Sequence, residues 1–508
     1  MLKKVFSIAL VLALAIGAFG SVIAAVASAR TLSWVVSVTY QNVGAEATSV
    51  NVDFYQEGSS TPISFDPLNG GTLAPGAGAS FFIGSVSGID EGFRGNAVLS
   101  SSQPVVATVV QFHQNAAGET VKMRLLSNGF QATDGSQQYL VATTLLNKFS
   151  RTTVFSVQNT QSTPVTATIR FYDADAGGAL ASTINHTIPG FSSKYIEMDK
   201  PADTGLAASK TVFNGSAIVT VPSGAVVSAA SELYTNRDVA ANFEGVSLDR
   251  AANTIYLATA LCQRFGLDTF YAVQNASTTA GNNATITVTY RNLDGTTKTT
   301  DGPYTIGAGQ KRSITTCTPS SGAGMVGFTG SAVIQSTGAP IAVIGKAQCS
   351  TAPGTCPAAQ LDVFTAFMGE RAGASKLAMP FIRWANNTDF NAASNLGGRQ
   401  RAFIAIQNLE TSTITVNVKY YGKAGGAPLA TQTLTIPGLA KANSDASAAG
   451  ALGLGGMSAG SFGYYPDSTF GGSVIVEAAP ANPTAKFIAV VRVQHPGAGE
   501  DYNAVPAP

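Results

Sequence analysis

The sequence predicts an all-β protein of four tandem β-sandwich domains, and three observations predict it. A strand-ending Gln-Asn pair recurs four times, a Gly-Ser or Gly-Asn landmark follows each pair at a similar distance, and the segments between alternate apolar and polar residues at period two with little helical periodicity. The chain has 508 residues, enough for several domains, and 45% of them are hydrophobic, which supplies real cores. Only 12% are charged, with 30 Lys+Arg against 29 Asp+Glu. That balance argues against a nucleic-acid binder, a polybasic membrane-surface protein or a charged disordered chain.

At the N-terminus Lys3 and Lys4 precede an apolar run over residues 5–19, and Ala27-Ser28-Ala29 follows with small side chains at the spacing a signal peptidase requires. The expectation is a signal peptide, residues 1–29, cleaved after Ala29, with an uncleaved anchor as the competing reading. Cleavage leaves 28 basic against 29 acidic residues. No second long apolar run follows, so no membrane span is expected in the processed chain.

The repeat comes next. Val38-Thr39-Tyr40-Gln41-Asn42, Phe155-Ser156-Val157-Gln158-Asn159, Tyr271-Ala272-Val273-Gln274-Asn275 and Ile404-Ala405-Ile406-Gln407-Asn408 are spaced by 117, 116 and 133 residues. The second landmark stands 53 to 64 residues after each Asn: Gly95-Asn96-Ala97-Val98, Gly215-Ser216-Ala217-Ile218, Gly330-Ser331-Ala332-Val333 and Gly472-Ser473-Val474-Ile475. Two landmarks kept in step indicate duplication. Residues 50–55, 165–172, 284–290 and 414–421 read as half-buried strands, each followed by glycine turns and then by Pro75-Gly76, Pro189-Gly190, Gly307-Ala308-Gly309 or Pro437-Gly438. About six or seven short strands per copy result, the number an immunoglobulin-like sandwich needs. The Gln-Asn pair is read as a turn device, with the Asn side chain bonding nearby backbone.

Successive copies are joined by a further strand-like segment, Tyr139-Leu140-Val141-Ala142-Thr143, Tyr256-Leu257-Ala258-Thr259 and Lys376-Leu377-Ala378-Met379-Pro380, each read as the first strand of the copy it precedes. A cation stands just before the next aromatic, at Lys148, Arg264 and Arg383, and is expected to pack on it. The expected divisions are residues 30–137, 138–253, 254–374 and 375–508. The first copy lacks a joining segment, and the chain stops after Pro506-Ala507-Pro508. The terminal copies are expected to close their own edges, the competing possibility being an edge that accepts a strand from another chain and so builds fibres.

Taken together, the framework aromatic, Val-Gln-Asn, an alternating strand ending in Phe-Tyr or Tyr-Tyr, Pro-Gly, and Gly-Ser-Ala-Val-Ile resemble the tandem Ig-like repeats of secreted bacterial cell-surface proteins. The resemblance covers nearly all of the chain after residue 29. It implies an extracellular structural or adhesive role and transfers no catalytic residue.

Chemistry-bearing residues are sparse. The four cysteines, Cys262, Cys317, Cys349 and Cys356, all fall in the third copy and read as two disulfides, expected as Cys262 with Cys317 and Cys349 with Cys356. A four-thiolate zinc site is the competing reading. His113, His186 and His495 are scattered and are expected on the surface or in loops. Gly456-Met457-Ser458-Ala459-Gly460, with Asp467 and His495 downstream, fits a nucleophile elbow, but that device needs a parallel sheet, and chance yields the pattern in a chain this rich in Gly and Ser. The longer fourth copy carries Phe462, Tyr464 and Tyr465 in its Gly-rich loop, residues 446–472, a candidate partner-contact loop. Tyr55, Tyr172, Arg291 and Tyr421 are read as packing on a sheet surface.

The functional expectation is therefore a secreted, non-enzymatic structural or adhesive protein: a stalk, surface-layer or fibre component with the four units arranged as a rod. No cofactor, metal or nucleic acid is expected; partners would be other cell-surface proteins, glycans or further copies of the chain. A polysaccharide-binding array is the alternative, and a serine hydrolase using Ser458 the third reading.

Overall fold

The computed structural model describes residues 9–11, 33–114, 121–236, 238–349, 363–392, 399–454, 470–495 and 498–508. It is all-β, with several sandwich-like units in which neighbouring strands run antiparallel, apart from the short parallel pairing of Ala9–Val11 with Arg94–Ser101. The second copy illustrates the plan. Its strands Gln138–Leu146, Arg151–Asn159, Val165–Asp173, Ala179–Ile188, Ser193–Glu197, Phe213–Thr220, Val226–Tyr234 and Ala240–Glu244, numbered one to eight, form sheets of order 4-3-6-1 and 5-2-7-8, the first extended by the short strand Val246–Ser247 beside strand one. This strand order differs from the ABED and CFG sheets of antibody constant domains, because here the first strand pairs with the sixth. The third copy repeats it, and the fourth keeps the same neighbours but joins its two sheets through Trp384 and Arg401 into one sheet. The joining segment is the first strand of the copy it precedes, as the sequence suggests.

Alternation explains the sandwich. Val165–Asp173 buries every second residue, and so do Ala284–Arg291 and Ile414–Tyr421. The inward set meets the aromatic that opens the sixth strand: Phe171 on Phe213, Tyr290 on Phe328 and Tyr420 on Phe470, edge to face with centroids 6.3, 6.2 and 5.5 Å apart. Such pairs add about 0.5–1.5 kcal/mol each to the burial of the rings.

The four copies do not line up as a rod. Their closing strands, Val121–Asn128, Ala240–Glu244, Phe364–Met368 and Ala498–Asn503, meet around a common axis, each against the next and the fourth against the first. The chain is a closed ring. Asn128, Glu244, Met368 and Asn503 occupy the same strand position in the four copies. At this hub the Asn128 N–H donates to Glu244 Oε1 (2.8 Å) and Asn128 Nδ2 to Asn503 O (2.6 Å). Asn503 exchanges two bonds with the Met368 backbone, at 2.8 and 3.0 Å. The extended row fails because each copy carries an apolar outer face complementary to the next: Ala272 and Ile344 of the third join the core of the second, while Val43 and Val106 of the first pack on Ala378 and Ile475 of the fourth. Left apart, those faces would stay in water.

Candidate functional site

The recurring Asn is a turn clamp. In every copy its Oδ1 accepts the N–H two residues on, from Gly44, Gln161, Ser277 or Glu410, at 2.8–2.9 Å. Its Nδ2 donates to carbonyls on both sides of the loop, such as Ser412, Ile436 and Pro437 for Asn408. All four side chains are buried. Asn275, which also begins a glycosylation sequon, is therefore spent inside the fold. The landmark glycine has an equally structural cause. A Cβ on Gly95, Gly215, Gly330 or Gly472 would lie 2.0–2.1 Å from the carbonyl oxygen of Tyr55, Tyr172, Arg291 or Tyr421.

The three tyrosines among them also project toward the neighbouring copy. Tyr55 stacks 5.7 Å from Phe191 of the second copy. Tyr172 lies against Gly309 of the third, and Tyr421 against Gly76 of the first. The turns Pro75-Gly76, Pro189-Gly190 and Gly307-Ala308-Gly309 of the first three copies are thus the seats for the outer tyrosines of the fourth, first and second copies. Sequence reasoning placed these rings on a sheet surface and did not see the neighbour, since nothing local marks a contact a hundred residues away.

Polar clusters fill the seams. Between the second and third copies, Glu232 is paired with Lys346 and Arg151 and accepts from Thr143 Oγ1 (2.9 Å), while Lys311 reaches Thr143 Oγ1 at 3.4 Å. Burial works to raise the Glu232 carboxyl, yet Lys346 and Arg151 overcome it and hold the group at about 2. Burial and the adjacent Lys346 press Lys311 down to about 7. At the next seam Lys441 donates to Ala258 O (3.2 Å), and burial, with Arg492 nearby, lowers it to about 7 as well. Between the first and second copies, Arg94 bridges Glu57 and Glu197 and lies 4.9 Å over the Tyr195 ring. Near the hub Arg124 stands 3.4 Å from Glu500, whose carboxyl burial raises to about 8 despite that cation.

Cys262 and Cys317 are bonded to each other across 55 residues, a closure that restricts the unfolded chain by about 4 kcal/mol. Their sulfurs lie with the Asp268 carboxylate in a metal-sized cluster, but the S–S bond consumes both thiolates and leaves no cation site. Cys349 is also disulfide-bonded. Cys356 lies outside the described residues, as do Ser458, Asp467, Phe462, Tyr464 and Tyr465. The histidines are not surface or loop residues as expected. His113 and His495 are buried in strands, and His186, half-buried on its strand, lies 2.9 Å from Asp203 O.

What faces outward in register is the hairpin tip between the first and second strands. Phe149 and Phe265 hold the same place in the second and third copies, are 58% and 62% exposed, and adopt φ of 54° and 55°. Bulky residues seldom occupy that region. Lys148 sits 5.4 Å from the Phe149 centroid and Arg264 4.8 Å from that of Phe265, the packing the sequence suggests. In the fourth copy Arg383 instead packs on Phe381, and Arg401 covers Trp384. The tips of the second and third copies thus present an aromatic face flanked by a cation, able to stack on a sugar ring or a partner's apolar surface. No known protein-family model matches the chain, and no curated protein matches it.

Proposed function

We propose that this is a secreted, non-enzymatic structural and adhesive protein of the cell surface. The buried polar groups described above clamp turns and seams, and no described helix is long and apolar enough to cross a membrane. The N-terminal Lys3-Lys4 and apolar run, the Ala27-Ser28-Ala29 site and the buried Cys262–Cys317 disulfide support export. One observation carries the adhesive part: a strained, exposed aromatic with a cation beside it, repeated at equivalent places in two copies of a closed ring. Strain of this kind persists where the surroundings enforce it and marks functional positions.

The partner we assign to these tips is a surface glycan. The test compares binding of the secreted protein and its Phe149→Ala/Phe265→Ala variant to a glycan array and to intact cells. At least a tenfold loss in the variant, with the melting temperature unchanged, supports the reading; equal binding by the two proteins, or none by either, overturns it.

A further inference from the structure

The two exposed tips are built alike but anchored differently. Each is a four-residue turn whose end residues exchange backbone bonds, Lys148 with Arg151 in the second copy and Arg264 with Leu267 in the third. Leu267 is fully buried and packs on Leu261 and Val363 of its own copy. Arg151, which holds the same place, reaches across the seam instead. Its guanidinium carbon lies 5.9 Å from the Phe149 centroid, 5.2 Å from that of Tyr234 and 4.7 Å from that of Phe364, the residue that opens the closing strand of the third copy. Tyr234 and Phe364 meet edge to face across the same seam with centroids 5.6 Å apart. Arg151 Nη1 donates to Glu232 Oε2 at 3.2 Å, and Nη2 to Gln348 Oε1 of the third copy at 3.4 Å. A planar guanidinium can meet rings with its faces and oxygens with its edge at the same time, which a compact ammonium cannot. One side chain therefore touches the exposed ring of the tip, the buried carboxylate of the seam and two residues of the neighbouring copy.

We infer that Arg151 is a positioning residue for binding at Phe149, and that it couples this tip to closure of the seam between the second and third copies, while the Phe265 tip binds independently of that seam. The inference rests on the glycan reading of the tips and adds that the two are unlike. Two cations flank the Phe149 ring. Lys148 is held within its own copy by Asp175 at 2.7 Å, whereas Arg151 is held by the third copy as well. Lys346 and Lys311, the other cations of the Glu232 cluster, also belong to the third copy. Were the seam to open, Phe364, Gln348 and both lysines would leave together, and Arg151 would remain as the one cation of this cluster beside Glu232. The carboxylate would then draw it away from Phe149. A ligand that stacks on Phe149 in its present pose is bound best by the closed ring and, by reciprocity, favours closure. The third tip has no such link, since Arg264 covers Phe265 at 4.8 Å and Leu267 stays inside its own sandwich.

The test treats the tips one at a time, with the glycan array and intact cells as probes. In the secreted protein, Phe265→Ala leaves only the second-copy tip and Phe149→Ala only the third-copy tip. Arg151→Leu, which gives the second tip the residue the third already carries, is added to each. Binding by the Phe265→Ala protein is expected to fall at least fivefold on this addition, and binding by the Phe149→Ala protein to change by less than twofold. Amide exchange at Lys148 should quicken at least tenfold in Arg151→Leu, with Arg264 and Leu267 unchanged. Phe364→Ala, a substitution in the third copy, should quicken Lys148 at least threefold. Arg151→Lys keeps a cation beside Glu232, so it should hold the melting temperature and still lose binding at Phe149; it also serves if the leucine variant does not fold. The inference is overturned by equal losses at both tips, by no loss at the Phe149 tip, by wild-type binding in Arg151→Lys, or by unaltered exchange at Lys148 in Arg151→Leu or Phe364→Ala. Absence of binding by both single-tip proteins defeats the glycan reading instead, and the exchange rates then decide whether Arg151 links the tip to the seam.

Discussion

At the scale of single residues, the ring is held by ionisable groups placed where burial works against their charge. Glu232 is fully buried and offsets Lys346 and Arg151. Replacing it with Gln leaves two or three cations facing one another in a dry seam, and a loss of about 3–5 kcal/mol is expected in urea unfolding. Lys441 makes the opposite point. Its ammonium is pushed to about 7 in the fold against 10.5 in the unfolded chain, so between those values the unfolded state binds more protons and stability rises with pH. Lys441→Met should raise stability at pH 7 and flatten that rise between pH 7 and 10, checked by denaturation at three pH values. A slope left unchanged would place the titration elsewhere, at Lys311 for instance.

Individual elements were the most legible level in the sequence. Period-two alternation gave Val165–Asp173 and Ile414–Tyr421, because an antiparallel strand with one wet face must alternate. Gln-Asn as a turn device was readable too, since an Asn after a strand has few uses besides capping the loop. The landmark glycine was visible as a repeat but not as a cause: its need lies in the carbonyl of a strand some forty residues earlier, which no local pattern encodes. Two substitutions test these accounts. Asn408→Ala removes four bonds at one turn and should cost about 2–3 kcal/mol. Gly215→Ala forces a methyl to within 2.1 Å of the Tyr172 carbonyl oxygen and should cost about 3 kcal/mol, because the carbonyl belongs to a paired strand and cannot step aside. Thermal melts of both variants provide the check.

For the whole molecule, the sequence showed four copies but not their closure, since the faces that meet between copies carry small, ordinary residues such as Ala272, Ala342 and Ala366. Closure changes the expected solution shape. A compact body of this length has a radius of gyration of about 23 Å, whereas four sandwiches of nine-residue strands set end to end would approach roughly 35 Å. Small-angle scattering should give the smaller value. One seam is special, because the first and fourth copies are far apart in sequence and are held only by contacts: Val43 and Val106 on Ala378 and Ile475, Tyr421 on Gly76, and the Gly426 N–H donating to Pro75 O at 2.9 Å. Val106→Glu puts a charge into that apolar contact. The ring should open there first, and the radius of gyration should rise toward the extended value while the individual sandwiches keep their strand content by circular dichroism. If the radius stays near 23 Å in this variant, the hub bonds of Asn128 and Asn503 suffice to close the ring, and Asn503→Ala added to Val106→Glu should then open it.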